Sequence, residues 1–271
     1  MTPRPGGETG HYLGDPNPYG VMGIYGGHFV AQALAAGFAT VEEPKTAHSL
    51  HAYFLRKGDP EEPIEYRVTA LRDGRGSSAR SIAASQHGQV VFQMMASFKL
   101  PEPGDLHQPE QPAVASAEEL IAAREASGEP AFPFPPTQNG WVQAEWVTPS
   151  FRDYIPDRRD GLTIWARVPG ADELDERQRQ VVLAYLSDVP IVFNAVVAHG
   201  VPFETHMVTS LDHSLWFHRA VDPSGWLLYD QASSAAADSR GLNEGRLFAA
   251  DGRLVMTCVQ ESMLRRMAPP G

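Results

Sequence analysis

The sequence is poor in the features that mark secreted, disulfide-bonded and membrane-spanning proteins. Its 271 residues include one cysteine, Cys258, so no intramolecular disulfide can form. No apolar run approaches the roughly 20 residues that a transmembrane helix needs. The first 15 residues are rich in glycine and proline and lack the apolar segment of a secretory signal. These absences predict a protein of the reducing cytoplasm that has no membrane partner.

Positive charge is also scarce. The chain has 22 Lys and Arg residues against 33 Asp and Glu residues, and its formal net charge at pH 7 is -11. Nucleic acid is an improbable partner for such a chain, because phosphate neutralisation requires a basic surface. A polyanionic ligand would have to meet local groups of basic residues. The candidates are Arg56, Lys57, Arg72, Arg75, Arg80, Arg219 and Arg240.

What the chain does contain is an internal repeat, in which residues 48–98 and 210–261 read in step. Apolar residues alternate over short runs in both copies, as at 64–70, 89–98 and 253–259, which is the period of half-buried strands. Each copy is therefore predicted to form an antiparallel meander with tight hairpins. The matching positions are Asp59-Pro60 with Asp222-Pro223, Arg80 with Arg240, and His87-Gly88 with Asp251-Gly252.

A helical pattern precedes each meander, at residues 24–40 and 176–198, and both patterns are too apolar for a surface helix. An apolar helix followed by an antiparallel sheet is expected when the sheet wraps around the helix and buries it. The sequence therefore predicts an α+β tandem hotdog fold, in which each hotdog is an antiparallel sheet around a long central helix.

The predicted domain boundaries follow from composition. We expect an N-terminal hotdog at residues 1–100 and a C-terminal hotdog at 141–271. The intervening residues 101–140 are rich in Pro, Glu, Gln and Ala, with a proline-rich run at 130–136, and read as an extended linker. A short helix is expected inside this linker near 117–125.

Five segments carry a family resemblance. They are residues 25–28 (YGGH), 48–59 (HSLHAYFLRKGD), 71–74 (LRDG), 211–219 (LDHSLWFHR) and 259–261 (VQE). In this order they resemble the signature segments of type II acyl-CoA thioesterases, and the resemblance covers roughly residues 12–108 and 141–266. It implies an enzyme that hydrolyses fatty acyl-CoA to free acid and CoA. It also implies that no metal or other cofactor is used and that the chain self-associates as a dimer or tetramer.

The resemblance also implies a set of catalytic residues in the second hotdog. The segment 185–188 (YLSD) supplies the acid as Asp188, on the second central helix, while Ser210 takes the hydroxyl role and Gln260 the amide role. The first copy has Ala96 where the second has Gln260. One active site per chain is therefore expected.

Substrate-binding residues are expected in the first hotdog. The paired glycines Gly26 and Gly27 lack side chains, so they would allow the oxyanion of the reaction to come close to a helix N-terminus, where the helix dipole favours negative charge. The family usually has Gln at the next position, and here it is His28, which puts chain-length preference and pH response in question. Arg72 and Arg80 are the candidates for contacts with the CoA phosphates.

These residue types suit thioester hydrolysis. A thiol has a pKa near 8.5, so the leaving thiolate needs little help from a general acid. A shielded Asp can accept a proton from water, while a hydroxyl and an amide hold that water for attack. Direct attack by Asp188, which would form an anhydride, is an open alternative at this point.

Other readings of the residues are weaker. The segment 74–79 imitates a dinucleotide fingerprint, but a strand pattern follows where that motif needs a helix. Asp212 and His213 are neighbours in an alternating strand, so they cannot both face one site. Cys258 lies in a buried strand pattern and reads as a small apolar residue. Two further functions stay open: acyl-CoA binding without turnover, and a hotdog hydratase or dehydratase.

Overall fold

The computed structural model describes residues 2–3, 9–16, 23–129, 141–155, 158 and 161–268. The strands in chain order are β1 (Thr2–Pro3), β2 (His11–Gly14), β3 (Thr46–Phe54), β4 (Ile64–Asp73), β5 (Ser77–Gln86), β6 (Gln89–Lys99), β7 (Gln143–Trp146), β8 (Ile164–Arg167), β9 (His206–Ser210), β10 (Asp212–Phe217), β11 (Leu227–Ala237), β12 (Arg240–Ala249) and β13 (Leu254–Arg266). The helices are α1 (Gly26–Phe38), α2 (Ala117–Ser127) and α3 (Glu176–Leu186). No helix among the described residues is both long and apolar enough to cross a bilayer.

The chain folds into two compact units, each assembled from three stretches. The first unit comprises Met1–His107, Leu174–Asp188 and Asp212–Phe217, and the second comprises Gln108–Glu173, Val189–Leu211 and His218–Gly271. The predicted boundaries at 1–100, 101–140 and 141–271 divide the chain by its internal repeat, which is a different division from these units. They stay a prediction.

The first unit is an antiparallel sheet that holds α1. Its strands pair in the order β1-β2-β4-β5-β6-β3-β10, each with its neighbour antiparallel. Strand β5 alternates between half-buried and buried side chains along its whole length, as a sheet with one face on the core requires. Its hairpin to β6 turns at His87 and Gly88, whose φ values of 50° and 71° fit a tight two-residue turn.

Helix α1 forms the core of this sheet. It begins and ends two residues inside the predicted range 24–40, and it contains no charged residue. Phe29 stacks on Phe92 of β6 with ring centroids 5.6 Å apart, and Phe38 meets Phe98 edge-on at 5.1 Å. The apolar character noted in the sequence is thus explained by burial against the sheet.

Helix α3 is also attached to the first unit. The side-chain amide of Gln180 donates to the carbonyl of Ala47 and accepts from its N–H, each at 2.9 Å. Ala47 lies at a bulge of β3, where its backbone groups are available for this exchange. The Arg177 guanidinium donates to the Lys45 and Val41 carbonyls near the end of α1. These contacts fix the direction in which the chain leaves α3.

The predicted helix at 176–198 is wrong in its second half. Helix α3 ends at Leu186, and Ser187 is its C-cap. Pro190 explains the early end, because proline has no N–H to donate and disfavours helical geometry in the residue before it. The chain continues as an irregular buried segment with a short 3-10 turn at Ile191–Phe193.

The second unit is an antiparallel sheet in the order β9-β13-β12-β11-β8-β7. The irregular segment that contains the Ile191–Phe193 turn packs on β9, β12 and β13. Helix α2 confirms the short helix predicted near 117–125, and it starts with a capping box between Ser116 and Glu119. Its Ala117 joins a buried cluster with Trp165, Leu228, Phe248 and Leu254. The proline-rich run 130–136 lies outside the described residues.

Candidate functional site

Asp188 is a buried carboxylate at the N-terminus of α1. The sequence predicts Asp188 on the second central helix, but it lies two residues beyond the end of α3. Its surface is 5% exposed. The backbone N–H of Gly27 donates to its Oδ2 at 2.9 Å. The positive end of the α1 dipole favours a negative charge at this place. The first unit thus holds the predicted acid in one orientation.

The paired glycines of α1 are explained by what approaches them. A Cβ on Gly26 would lie 2.8 Å from Asp188 Oδ2, and a Cβ on Gly27 would lie 2.5 Å from the Tyr185 carbonyl oxygen. The Tyr25 hydroxyl donates to the same Tyr185 carbonyl at 3.1 Å. The sequence predicts close approach of a ligand here. In the structure, the groups that come this close are the Asp188 carboxylate and the Tyr185 carbonyl at the end of α3, and the Gly27 N–H donates to Asp188.

Ser187, the residue before Asp188, is fully buried and bonded to a histidine. Its Oγ lies 2.7 Å from Nε2 of His213 on β10, and it donates to the Ala184 carbonyl at 2.8 Å. Burial lowers the pKa of His213 from its usual 6.5 to about 3, so its imidazole is neutral near pH 7. Asp212 is half-buried and alternates with His213 along β10, as expected from the strand pattern. Sequence reasoning did not find the Ser187 contact, because nothing in the local pattern pairs these two residues.

The second unit brings Ser210 and Gln260 onto one face of its sheet. The register of β9 and β13 places Ser210 directly opposite Ser262. Gln260 precedes Ser262 by two positions on β13, so their side chains point to the same face. Gln260 and Ser262 are fully buried, and Ser210 is half-buried. The register thus places a hydroxyl and an amide on one face of the sheet, and their catalytic roles stay a prediction.

Asn243 connects the strand of Gln260 to the irregular segment through hydrogen bonds, and this role is not among those predicted from the sequence. It is fully buried opposite Gln260 in the β12–β13 register. Its Nδ2 donates to the Gln260 carbonyl at 3.2 Å and to Ser262 Oγ at 3.1 Å. Its Oδ1 accepts from the N–H of Ala195 at 2.8 Å. The sequence signal for Asn243 is that a polar residue stands at a position of β12 that the strand alternation places on the buried face.

The same register corrects one match of the internal repeat. Arg80 pairs with Ala96 in the first unit, as Asn243 pairs with Gln260 in the second. The predicted matches of Ala96 with Gln260 and of Arg80 with Arg240 cannot both hold in these registers, because Gln260 pairs with Asn243 and Arg240 pairs with Met263. Arg240 lies at the exposed start of β12.

Arg80 is occupied by the protein itself. Its guanidinium is buried, and all five N–H groups donate within the first unit. The acceptors are Thr40 Oγ1, the carbonyls of Thr40, Arg72 and Ala79, and Asp73 Oδ1. These bonds leave no N–H for a CoA phosphate, which corrects the expectation from sequence. Arg72 is exposed on β4, and its phosphate contact stays a prediction.

His28 has a local partner in the first unit. Its Nε2 lies 2.9 Å from the carbonyl oxygen of Asp15, which also accepts from Gln32 Nε2 at 3.1 Å. Burial is the main cause that lowers the pKa of His28 below its usual 6.5, against the opposing effect of Asp15. His28 is therefore neutral near pH 7. Its contact with substrate stays a prediction.

Known proteins resemble this chain along most of its length. The family model described as "Acyl-CoA thioesterase N-terminal domain" matches residues 15–99, and the model described as "Acyl-CoA thioesterase" matches residues 159–263. Acyl-CoA thioesterase 2 of Haemophilus influenzae is 34% identical over 94% of this chain and 92% of its own length. Human acyl-coenzyme A thioesterase 8 is 35% identical over 89% of this chain and 80% of its own length.

Solved structures resemble the fold in the same way. The acyl-CoA thioesterase II TesB2 of Mycobacterium marinum has a TM-score of 0.81 and 32% identity, covering 96% of this chain and 95% of that one. A hot dog fold protein of unknown function from Alicyclobacillus acidocaldarius has a TM-score of 0.75 and 21% identity, covering 96% and 93%. These matches and the antiparallel sheets described above confirm the predicted α+β tandem hotdog fold.

Proposed function

This chain belongs to the type II acyl-CoA thioesterase family and is a thioester hydrolase, and we propose that it hydrolyses fatty acyl-CoA with a water activated by Asp188, Ser210 and Gln260. The observation that carries the proposal is the Asp188 carboxylate, buried and fixed by the Gly27 N–H at 2.9 Å. A general base has to be both shielded and oriented, and Asp188 meets both conditions.

The proposed steps follow from the chemistry of the three side chains. Asp188 accepts a proton from water, and the resulting hydroxide equivalent attacks the thioester carbonyl. The Ser210 hydroxyl and the Gln260 amide both donate and accept hydrogen bonds, so they can hold the water on the line of attack. CoA then leaves as a thiolate, which needs no strong acid because thiols have a pKa near 8.5.

Support of the backbone that carries Gln260 favours this assignment. Gln260 lies in the middle of β13, and its partner in the register is Asn243 of β12. The Asn243 amide donates to the backbone carbonyl of Gln260 at 3.2 Å and to Oγ of Ser262, the residue opposite Ser210, at 3.1 Å. A strand whose backbone is held this way loses little conformational entropy when a water is bound. The geometry therefore suits the positioning of a nucleophile.

The surroundings of the reaction are part of the proposal. We infer that the enzyme self-associates as a dimer or tetramer, works in the cytoplasm and takes part in fatty acid metabolism. We also infer that Gly26, Gly27, His28 and Arg72 line the path of the substrate. The lone Cys258 is fully buried in β13, which fits a small apolar role in a reducing compartment.

Free-thiol release from a panel of acyl-CoAs, short to long, tests the proposal. We expect turnover of at least part of the panel, with kcat in the ordinary enzyme range of about 1 to 10³ per second. A thioether analogue that cannot be hydrolysed serves as the matched control, and it should bind without releasing thiol. Cys258 is buried, so the folded chain adds little to the thiol signal. Binding of the whole panel without thiol release would contradict the proposal and favour a binding protein.

A further inference from the structure

A histidine occupies a core position of the first unit where its strand otherwise places apolar residues. His213, Leu215 and Phe217 alternate on the inward face of β10, and all three are buried. His213 lies opposite Ala52 of β3, which is also buried. Burying a polar imidazole is unfavourable unless it is hydrogen-bonded. A hydrogen bond of the His213 imidazole offsets part of this cost.

The bond goes to the residue that precedes Asp188. Ser187 Oγ has one proton, and it donates that proton to the Ala184 carbonyl at 2.8 Å. The same Oγ lies 2.7 Å from His213 Nε2, within hydrogen-bond distance. Both partners are fully buried, so water does not compete for the bond.

Asp188 is fixed at its carboxylate and next to its backbone. Gly27 binds Oδ2 from the N-terminus of α1, and Ser187 anchors the backbone one peptide bond away. The helix ends at this point, because Ser187 is the C-cap and the next residues are irregular. Without the His213 bond, the segment that follows α3 could rotate about Ser187 and displace the Asp188 carboxylate.

We propose that His213 is a positioning residue for the hydrolysis, which acts through Ser187 to set the direction of the Asp188 carboxylate. The inference rests on the proposed function, since it assigns a role within that reaction. We assign His213 a positioning and not a catalytic role, because its contact with Ser187 links it to Asp188 through the backbone. A displacement of about 1 Å in a reacting group can cost about a hundredfold in rate, so a modest shift of Asp188 is enough to be measured.

The test compares His213→Leu, His213→Gln, Ser187→Ala and the double variant Ser187→Ala/His213→Leu in steady-state acyl-CoA hydrolysis. The Gln side chain carries an Nε2 donor at a similar distance from the backbone, whereas Leu fills the space without a donor. We expect His213→Leu and Ser187→Ala to lower kcat by roughly 10- to 100-fold while KM changes by less than about threefold. We expect His213→Gln to recover most of the rate. The double variant should be no slower than the slower single variant, because both remove one bond.

Leu215→Val is the matched control, since it alters a buried side chain on the same face of the same strand. It should lower the thermal stability and leave kcat near wild type. If His213→Leu does not fold, Ser187→Ala and His213→Gln still decide the matter. The role of His213 would be overturned, and the proposed function left standing, by a wild-type kcat in folded His213→Leu or Ser187→Ala. Losses that multiply in the double variant would have the same meaning. Absence of thiol release from the wild type would instead overturn the proposed function.

Discussion

Asp188→Asn is expected to lower kcat by about 10²- to 10⁴-fold with the fold retained, which is the range for loss of a general base. The Asn side chain keeps the shape of Asp188, and its carbonyl oxygen can still accept the Gly27 N–H. What it loses is the negative charge and the ability to take a proton from water. The rate of thiol release measures kcat, and circular dichroism with a melting curve checks the fold.

Asp175→Asn is the matched control for this change. Asp175 is the N-cap of α3, and its side chain accepts from the N–H of Gln178 at 2.9 Å. Asn caps helices as well as Asp does, so both stability and kcat should stay near wild type. If Asp188→Asn retains wild-type kcat while folded, Asp188 is not the base, and the catalytic assignment is wrong even if the hydrolysis stands.

Gly27→Ala should reduce both stability and activity. The added Cβ would lie 2.5 Å from the Tyr185 carbonyl oxygen and 2.6 Å from the Tyr25 ring, so α1 and the end of α3 have to move apart. Overpacking of this kind costs about 1–3 kcal/mol, which exceeds the gain of up to about 1 kcal/mol from placing alanine in a helix. Because Asp188 follows Tyr185 by three residues, its carboxylate moves too, and kcat should fall by roughly 10- to 100-fold.

The melting temperature and kcat of Gly27→Ala are compared with those of Gly104→Ala. A Cβ at Gly104 meets no atom within 4 Å, and the backbone there does not have positive φ. We expect that control to match the wild type in both measurements. An unchanged melting temperature and kcat in Gly27→Ala would show that the approach of the two helices tolerates a side chain, and that the glycine pair has another purpose.

The parts of the fold that depend on local periodicity could be predicted from the sequence. The alternation in β4, β5 and β6, the turn at His87-Gly88 and the apolar character of α1 are each visible within a few residues. The hydrophobic spacing predicts the end of α3 too late, because apolar residues continue past Pro190, although the proline prevents a regular helix there. A single proline outweighed the hydrophobic pattern.

The contacts that position the site could not be predicted, because they join residues far apart in sequence. The bond from His213 to Ser187 spans 26 positions, and that from Gly27 to Asp188 spans 161. The sequence predicts that Arg80 binds phosphate, because the five intramolecular acceptors around its guanidinium come from residues that only the fold brings together. Family resemblance, and not periodicity, placed Asp188, Ser210 and Gln260 together in one prediction.

The most direct test of whether Asp188 and Gln260 serve one reaction is the kcat of the double variant Asp188→Asn/Gln260→Met beside both single variants. Met keeps the length of the buried Gln260 side chain and removes its hydrogen-bonding amide. Residues that activate the same water act as a unit, so we predict that the double variant is no more than a few-fold slower than Asp188→Asn alone. If the two losses multiply, or if Gln260→Met alone hydrolyses acyl-CoA at the wild-type rate, Gln260 does not act with Asp188.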